Sequence, residues 1–351
     1  MMSAKYRHNG GLAKTAFDLF CGSGSVTAAL KTMGFRVAAA VDNNLVCART
    51  YRANHPDTHF FASDIRKLEP WHMRRSLPPN QQLDLLIVCA PCQPFSNQNR
   101  FRSSDDDRLD LVLSAVKFIQ YFRPTTVIFE NVPGIEKSDS MAKLLRRLRA
   151  LGYLFSKPEK LDAADFGVPQ RRLRCLLVAS KDKKVIQRTS KLGTYAEHRV
   201  TVRDALQGVP SLSSGEKSPT DRLHLAREHS ALNLERLRHI PKDGGNRHSL
   251  PEHLVLECHK KLGAASKFPD VYGRMAWDDV APTLTTGCTD LTRGRYAHPE
   301  DDRAITLREA ARIQTFPDTY EFHGNHSQIA TQIGNAVPMN MMVNVIRRLE
   351  L

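Results

Sequence analysis

Residues 17–27 read FDLFCGSGSVT, and this stretch decides the fold class. An apolar strand predicted at 16–20 leads into a turn with two glycines, and residues 26–33 then have the apolar spacing of a helix. Glycines let the backbone approach a ligand closely, and the first turn of a helix offers unpaired N–H groups. A second strand predicted at 37–41 ends in Asp42, whose carboxylate suits ribose hydroxyls. The pattern indicates a site for a cofactor that contains a nucleoside.

Two other interpretations of this turn stay open at this point. A dinucleotide-dependent oxidoreductase has a similar strand, turn and helix. Its G-x-G-x-x-G pattern ends in Gly or Ala, however, and Thr27 stands at that position in this chain. The second alternative is a structural turn between a strand and a helix that binds no ligand.

Short apolar runs alternate with longer amphipathic stretches from residue 16 to residue 180. The runs predict further strands at 83–88, 126–129 and 175–179, and the amphipathic stretches predict helices at 111–121 and 141–151. Such alternation is typical of a doubly wound α/β fold, in which a parallel sheet has helices on both faces.

Composition and periodicity change in the second half of the chain. Residues 207–300 are rich in Gly, Pro, Ser and His, hold seven of the 14 His, and lack clear periodicity. Helical apolar spacing returns at 307–314 and at 337–349. We therefore predict a catalytic and cofactor-binding domain of residues 1–205 plus 328–351, and a smaller irregular domain of residues 206–327.

The overall composition narrows the class of function. The net charge of the 351 residues is +14, which fits a polyanionic partner such as nucleic acid, although surplus Lys and Arg also serve solubility. Seven cysteines, an odd number without the spacing of a disulfide framework, indicate reduced thiols. The sequence has no run of about 18 apolar residues and begins with a polar stretch. We therefore expect neither a membrane span nor a secretory signal, but a cytoplasmic protein.

A thiol lies where ligands bind in folds of this kind. Residues 90–96 read APCQPFS and follow the strand predicted at 83–88, so Cys92 is expected at the carboxyl end of a parallel strand. A Cys there can act as a nucleophile on a substrate that the polar loop at 97–108 then covers. Three alternatives stay open: a redox pair with Cys89, half of a zinc site, and a plain buried thiol.

Three further motifs place polar groups beside predicted elements. Glu130 follows the strand predicted at 126–129, where burying a carboxylate costs free energy unless it has a partner or a functional role. The alternative to a functional role is a Glu that caps a helix or forms a salt bridge. In the motif QRRLR, the alternation of side chains along a strand puts Arg172 and Arg174 on one face. Two guanidinium groups there suit a phosphate and a base carbonyl. The alternative is a basic strand edge that faces solvent and binds no ligand. Residues 332–338 read QIGNAVP and are predicted to open the final helix, either as a ligand site or as an ordinary helix start.

The order of these motifs closely resembles that of the cytosine-5 DNA methyltransferases, chiefly those of bacterial restriction–modification systems. The order is DLFCGSG, PCQPFS, ENV, QRRLR, RDAL and GNAVP, and the resemblance extends from Phe17 to about residue 347. It implies S-adenosyl-L-methionine as cofactor and no metal. The catalytic residues it implies are Cys92 as nucleophile, Glu130 as acid, and Arg172 and Arg174 as groups that hold the substrate. The cofactor contacts it implies are Asp18, Phe20, Gly22, Gly24, Asp42, Asp64, Ile65, Pro91, Asn335 and Ala336.

Four of these contacts have a specific role in the resemblance. Phe20 would pack on adenine, and Asp42 would bind the ribose. Asp64 would bind the adenine amino group, and Asn335 would close the pocket from the far end of the chain. Ser25 departs from the family, which usually has a second consecutive glycine at this position.

The resemblance also implies the reaction and its partners. Cys92 would add to C6 of a cytosine that is flipped out of duplex DNA, and methyl transfer to C5 would leave S-adenosyl-L-homocysteine. Residues 206–327 would contain the target-recognition domain and a hinge. A cognate restriction endonuclease would act on the same DNA site. We expect a monomer that binds no membrane and lies in the cytoplasm at the nucleoid.

Two related functions remain as alternatives. One is an RNA (tRNA) cytosine-5 methyltransferase on the same scaffold. The other is a non-catalytic DNA-binding homologue, against which the presence of both Cys92 and Glu130 argues. An amino-methyltransferase acting on adenine N6 or cytosine N4 is excluded, because its Asn/Asp-Pro-Pro-aromatic motif does not occur in the sequence.

Overall fold

A computed structural model describes residues 13–91, 111–193, 198–260 and 270–351, apart from the side chains of residues 258 and 259. The predicted nucleophile Cys92 and the predicted covering loop at 97–108 lie outside the described residues.

The chain forms two compact units. Unit 1 comprises Met1–Phe166, Leu173–Tyr195 and Val337–Leu351, and unit 2 comprises Gly167–Arg172 and Ala196–Ala336. These bounds differ from the predicted division into 1–205 plus 328–351 and 206–327, because residues 167–172, 196–205 and 328–336 pack with the irregular part of the chain. The assignment of functions to those predicted domains stays a prediction.

One mixed sheet organises unit 1. Its strands are β1 (Thr15–Leu19), β2 (Arg36–Asp42), β3 (His59–Ala62), β4 (Leu85–Val88), β5 (Thr126–Asn131), β6 (Leu154–Phe155), β7 (Glu159–Asp162) and β8 (Leu173–Ser180). The order is β3-β2-β1-β4-β5-β8-β6, and β7 also pairs with β8. Every strand predicted from the sequence is present, and β5 extends beyond its predicted end to include Glu130 and Asn131.

The directions of the strands correct the prediction of a parallel sheet, because the sheet is mixed. The five strands β1 to β5 are parallel, as predicted. β8 is antiparallel to β5, and both β6 and β7 are antiparallel to β8. Residues 163–172 between β7 and β8 contain only a short 3-10 turn. A parallel return usually needs a helical crossover of about a dozen or more residues, so the chain folds back in the opposite direction.

Thirteen α-helices occur in the part of the chain that the structure describes. They are α1 (Ser25–Thr32), α2 (Leu45–Asn54), α3 (Pro70–Arg74), α4 (Leu111–Ser114), α5 (Val116–Phe122), α6 (Asp139–Ala150), α7 (Lys183–Arg188), α8 (Val202–Leu206), α9 (Ala231–His239), α10 (Glu257–Lys260), α11 (Leu307–Ile313), α12 (His326–Asn335) and α13 (Met339–Leu349). Short 3-10 helices span Ile135–Lys137, Ala163–Phe166, Thr189–Lys191, Arg247–Ser249, Glu252–Leu254 and Leu291–Arg293. The single helix predicted at 111–121 is instead two helices, with Ala115 between them. None of the described helices is long and apolar enough to cross a membrane.

Helices cover both faces of the sheet, which confirms the doubly wound class. Phe17 of β1 belongs to a hydrophobic core with Phe118 of α5 and Leu144 of α6. The next residue, Asp18, points to the opposite face, because side chains alternate along a strand. There its carboxylate accepts a hydrogen bond from Thr27 of α1.

The last helix packs onto α1 within unit 1. Met341, Val345 and Ile346 of α13 are buried, as their helical spacing predicted. Residues 332–338 were predicted to open this last helix, but Ile333 belongs to α12. Pro338 separates the two helices as the N-cap of α13, a position that suits a residue without an N–H group.

A buried polar network fixes the glycine turn after β1. Thr27 Oγ1 donates to Asp18 Oδ2 at 2.8 Å and lies 2.8 Å from the Tyr51 hydroxyl. His55 Nε2 lies 3.0 Å from the carbonyl oxygen of Gly24. This network explains why Thr27 stands where a dinucleotide-binding turn has Gly or Ala: its hydroxyl is a partner of a buried carboxylate.

Unit 2 has little regular pairing but an ordered interior. Among its described residues, strand-like pairing is limited to isolated bridges. Its hydrophobic core comprises Leu237, Ile240, Leu250, Leu254, Tyr272, Leu291, Ala297 and Ala304. Arg274 is fully buried and donates to the carbonyls of Leu237, Ile240 and His298. Arg303 binds both carboxylate oxygens of Glu309 at 2.8 Å.

Truncation of the apolar face of α13 should destabilise unit 1. Ile346 is fully buried, so Ile346→Ala should lower the free energy of unfolding by about 2–5 kcal/mol through lost burial and the cavity left behind. The matched control is Leu154→Ala, since this Leu is 48% exposed. Urea denaturation followed by circular dichroism measures both changes. Equal losses in the two variants would contradict the packing of α13.

Asp18 should make stability depend on pH. Burial raises the pKa of Asp18 to about 7 in the folded chain. Between its ordinary pKa and about 7, the unfolded chain releases this proton while the folded chain retains it, so wild-type stability falls as pH rises. Asp18→Asn cannot titrate. The melting temperature of this variant relative to wild type should therefore increase from about pH 5 to about pH 8.

The control for this prediction is Asp57→Asn. The pKa of Asp57 is lowered rather than raised, its burial being outweighed by the hydrogen bond and the charge of Lys31. The contribution of the Asp57 carboxylate to stability is lost only in acid. The difference in melting temperature between Asp57→Asn and the wild type should therefore stay constant over the same pH range. A flat difference for Asp18→Asn as well would contradict the raised pKa.

Candidate active site

The carboxyl edge of the parallel strands gathers ionisable side chains on one face of the sheet. The register pairs Asp18 with Ile87, Ile87 with Ile128, and Glu130 with Leu176. Side chains two residues apart on a strand share a face, so Asp18, Glu130 and Arg174 all lie on the face opposite Phe17. These residues are distant in sequence and are brought to one face by strand pairing.

Glu130 and Arg174 form a buried ion pair at this edge. Arg174 Nε lies 2.9 Å from Glu130 Oε1, and both side chains are largely buried. Burial lowers the pKa of the Arg174 guanidinium, while the charge of Glu130 raises it. The pair offers an oxygen acceptor beside N–H donors, a combination that can recognise an amino group and a carbonyl on one heterocyclic base. The alternative of a salt-bridged Glu130 is therefore compatible with a chemical role.

Cys89 lies beside this pair but is a poor nucleophile. Val88 is opposite Phe129 in the register, which puts the following residue, Cys89, level with Glu130. Burial raises the pKa of the Cys89 thiol, and the carboxylates of Glu130 and Asp18 raise it further. Cys89 therefore stays protonated at neutral pH. The alternative of a redox pair with Cys92 stays open, because Cys92 lies outside the described residues.

Asn131 holds the backbone that leads to Cys92. Its Nδ2 donates to the carbonyl oxygen of Ala90 at 2.9 Å, and its side chain is buried. The residue after Ala90 is Pro91, a predicted cofactor contact, and it is exposed. Asn131 belongs to the motif ENV, in which the sequence predicted a role only for Glu130. Its position directly after Glu130 at a strand end was the one available signal.

The turn after β1 presents open backbone. Phe20, Gly22 and Gly24 all have positive φ, of 62°, 52° and 97°. A Cβ atom added to Gly22 would meet nothing within 4 Å, so a ligand has room to approach this backbone. Phe20 adopts a left-handed conformation that costs a non-glycine residue about 1–2 kcal/mol, a cost that recurs at functional sites.

Two carboxylates lie near the ends of the neighbouring strands β2 and β3: Asp42 is the last residue of β2, and Asp64 follows β3 by two residues. Asp42 Oδ2 accepts from the amide of Gly22 at 2.8 Å and Oδ1 accepts from that of Asn44 at 2.8 Å, which leaves lone pairs on each oxygen. Asp64 forms an ion pair with Arg66, whose hydrogen bonds lower the pKa of Asp64 to about 2. Ile65, also a predicted contact, is buried. This set of open backbone and carboxylate acceptors fits the adenosine part of S-adenosylmethionine.

The remaining predicted residues lie in unit 2. Both terminal nitrogens of Arg172 donate to backbone carbonyls of that unit, whereas Arg174 pairs with Glu130 in unit 1. The structure thus gives the two arginines different partners, and a joint role in holding substrate stays a prediction. Asn335 is exposed and Ala336 is buried.

The motif GNAVP corrects a boundary. Gly334 and Asn335 end α12, whereas the prediction had them open the final helix. A Cβ atom added to Gly334 would lie 2.3 Å from the carbonyl oxygen of Thr285, so only glycine fits there. Apolar residues keep helical spacing through both α12 and α13, so the sequence pattern did not reveal the break at Pro338.

The positive charge of the chain belongs almost entirely to unit 1. Its residues include 31 Lys and Arg against 18 Asp and Glu, whereas unit 2 has 20 against 19. A polyanion is therefore attracted to the unit that holds the Glu130–Arg174 pair.

Comparison with known proteins gives a consistent result. The family model of the C-5 cytosine-specific DNA methylases matches residues 15–350. Type II methylase M.HgiDII of Herpetosiphon aurantiacus is 38% identical over 330 residues, which cover 92% of this chain and 91% of that protein. Type II methyltransferase M.PspPI of a Psychrobacter species is 30% identical over 339 residues, covering 93% of this chain and 77% of that protein.

Solved structures share the fold. One is described as a DNA modification methyltransferase encoded within a prophage in E. coli; its TM-score is 0.71 at 23% identity, covering 96% of this chain and 99% of that chain. The Dnmt2 methyltransferase of S. pombe has a TM-score of 0.61 at 18% identity, covering 96% of this chain and 98% of that chain. At these identities the likeness concerns the fold alone.

The family match and the identity to the type II enzymes span nearly the whole chain. The chain therefore belongs to the C-5 cytosine-specific DNA methylases and is a DNA (cytosine-5)-methyltransferase that takes its methyl group from S-adenosyl-L-methionine.

Proposed function

We propose that this enzyme methylates a cytosine within a specific site of duplex DNA, through a transient bond between Cys92 Sγ and C6 of the base. The observation that supports this most directly is the buried Glu130–Arg174 pair at the carboxyl edge of the sheet. The chain passes this edge at Cys89 and Ala90, three and two residues before Cys92.

The chemistry needs a nucleophile and a partner for the base. Cytosine C5 is weakly nucleophilic, and addition of the Cys92 thiolate to C6 moves electron density onto C5. Glu130 would share a proton with N3 and accept a hydrogen bond from the exocyclic amine, while Arg174 would donate to O2. After C5 is methylated, a base removes the C5 proton, the Sγ–C6 bond breaks, and the thiolate of Cys92 is restored.

S-adenosylmethionine supplies an electrophilic methyl group on a sulfonium. In the proposed site, the ring of Phe20 packs on adenine, Asp42 binds the ribose, and Asp64 accepts from the adenine amine while it keeps its ion pair with Arg66. Asn335 offers both a donor and an acceptor to the cofactor. The other proposed contacts are Asp18, Gly22, Gly24, Ile65, Pro91 and Ala336.

We also propose how the DNA is engaged. A base within a duplex cannot present C6 to a thiol, so the target nucleotide is flipped out of the stack. Residues 206–327 would read base edges, and the positive surface of unit 1 would bind phosphates. The enzyme would act in the cytoplasm as the modification partner of a restriction endonuclease with the same site, as the type II names of its relatives suggest.

Removal of the nucleophile should abolish methyl transfer. We predict that Cys92→Ser still binds DNA and cofactor but loses activity. The hydroxyl of serine is a much weaker acid than a thiol, so it does not form the anion that would add to C6. Duplex DNA with 5-fluorocytosine at the target should form a denaturation-resistant complex with the wild type and not with this variant. Cys89→Ser is the control and should still form the complex. Methyl transfer by Cys92→Ser at the wild-type rate would exclude the covalent mechanism.

Exchange of the irregular segment should exchange the DNA site. We predict that residues 207–300, placed in a relative with a different site, transfer the recognition of this enzyme. Bisulfite sequencing of DNA from cells that express the chimera reports both the product and the site. A chimera that keeps the recipient's site would contradict the domain assignment.

If the intact enzyme methylated tRNA and left DNA unmethylated, its proposed DNA substrate would be wrong.

A further inference from the structure

Three buried polar side chains from two distant parts of the chain meet inside unit 2. Gln170 and Gln314 are fully buried and Arg172 is 2% exposed. Gln170 Nε2 donates to Gln314 Oε1 at 3.0 Å, and Arg172 Nη1 lies 3.4 Å from Gln170 Oε1. We call Gln170, Arg172 and Gln314 the polar clasp. A buried polar group is retained only where its hydrogen bonds are satisfied, so the partners of the clasp show what it holds.

The clasp bonds mainly to backbone, at two places. Arg172 Nη1 donates to the carbonyl of Leu284 at 2.9 Å, and the amide of Leu284 donates to Gln170 Oε1 at 2.9 Å. Arg172 Nη2 donates to the carbonyls of Gly334 at 2.9 Å and Ala336 at 3.1 Å. The second place is therefore the end of α12.

Gln314 reinforces the hold on this helix end. Its Nε2 donates to the carbonyl of Ile333 at 2.7 Å. The last turn of a helix leaves carbonyl oxygens without intrahelical partners, and buried ones need donors from elsewhere. Arg172 and Gln314 supply these donors, so they fix where the chain goes as it leaves α12.

Close backbone packing adds a second constraint on the same segment. The Cα of Gly334 lies so near the backbone of residues 285 and 286 that a side chain would overlap it. Gly334 and Ala336 are thus held on both sides of Asn335, while the Asn335 side chain is exposed. An exposed side chain on a rigidly held backbone is already oriented for a ligand, so little conformational entropy is lost on binding.

We infer that Arg172 is a positioning residue for the cofactor-binding segment at Asn335, rather than a ligand of the DNA substrate. The inference rests on the proposed contact between Asn335 and S-adenosylmethionine. Arg172 could reach a phosphate or a base only by giving up its bonds to buried carbonyls, which would leave those carbonyls unpaired. Among the described residues, Arg174 bonds instead to the carbonyl of its neighbour Leu173 and to the carboxylate of Glu130.

A matched pair of variants separates positioning from general stability. Arg172→Lys keeps the charge but removes the planar guanidinium, in which Nη1 binds the carbonyl of Leu284 and Nη2 that of Gly334. Arg274→Lys is the control. Arg274 is also a buried arginine of unit 2 bonded to backbone carbonyls, and among the described residues none of its partners belongs to residues 333–336. Both variants should lower the melting temperature.

Cofactor affinity should distinguish the two. Calorimetric titration with S-adenosylhomocysteine should give a Kd raised on the order of 10-fold in Arg172→Lys and unchanged in Arg274→Lys. Hydrogen exchange of the peptide that covers residues 330–340 should be faster in the first variant only. Gln314→Met, which removes the Nε2 donor at similar volume, should behave like Arg172→Lys. It also serves as the test if Arg172→Lys does not fold.

Steady-state kinetics provides the opposing readout. Arg172→Lys should raise the KM for S-adenosylmethionine and leave the KM for DNA and the kcat at saturation within about two-fold of wild type. A raised KM for DNA with unchanged cofactor affinity would make Arg172 a substrate ligand and overturn the inference. Equal cofactor affinity in Arg172→Lys and Arg274→Lys would also overturn it.

Asn335→Ala distinguishes failure of the inference from failure of the proposed site. This variant should weaken binding of S-adenosylhomocysteine with little change in melting temperature. If it weakens binding and Arg172→Lys does not, the inference fails and the cofactor role of Asn335 stands. If Asn335→Ala leaves the affinity unchanged, the proposed cofactor role of Asn335 and the inference fail together.

Discussion

A carboxylate buried at a sheet edge must have a partner, and the Glu130–Arg174 ion pair depends on the direction of one strand. The antiparallel pairing of β5 with β8 puts Leu176 opposite Glu130, and Arg174 lies two residues further along the same face. If β8 ran parallel to β5, its opposite end, near Ser180, would lie at the carboxyl edge instead. The antiparallel return is thus what supplies a cation to the site.

The same requirement governs the other ionisable groups on this face. The carboxylate of Asp18 accepts from Thr27, and burial raises its pKa to about 7. Cys89 faces two carboxylates and therefore remains a thiol, whereas a nucleophilic cysteine needs a positive environment. Two cysteines three residues apart are thus suited to different roles, which the motif C-x-x-C by itself does not reveal.

The two units achieve order by different means. In unit 1, paired strands satisfy the backbone, and apolar side chains such as Phe17 and Phe118 fill the core. Unit 2 has an irregular backbone, and guanidinium groups satisfy many of its carbonyls. Arg274 binds carbonyls from two parts of the chain, the end of α9 and His298, and Arg172 binds Leu284 together with the end of α12. A planar cation with five donors suits this task, since it can join several segments at once.

Local pattern in the sequence was enough to predict part of unit 1. Periodicity predicted β1, β2, β4, β5 and β8 but not β3, β6 and β7, and it predicted α1, α6 and α13 and a single helix where α4 and α5 lie. The order of motifs identified the family, and the strand predicted at 126–129 put Glu130 at a strand end. Four features could be read only from the folded chain: the direction of β8, the partners of Arg172, the bond from Asn131 to Ala90, and the end of α12 at Asn335. Each of these depends on contacts between residues far apart in the chain, and periodicity reports only which side of an element is buried, not what it is buried against.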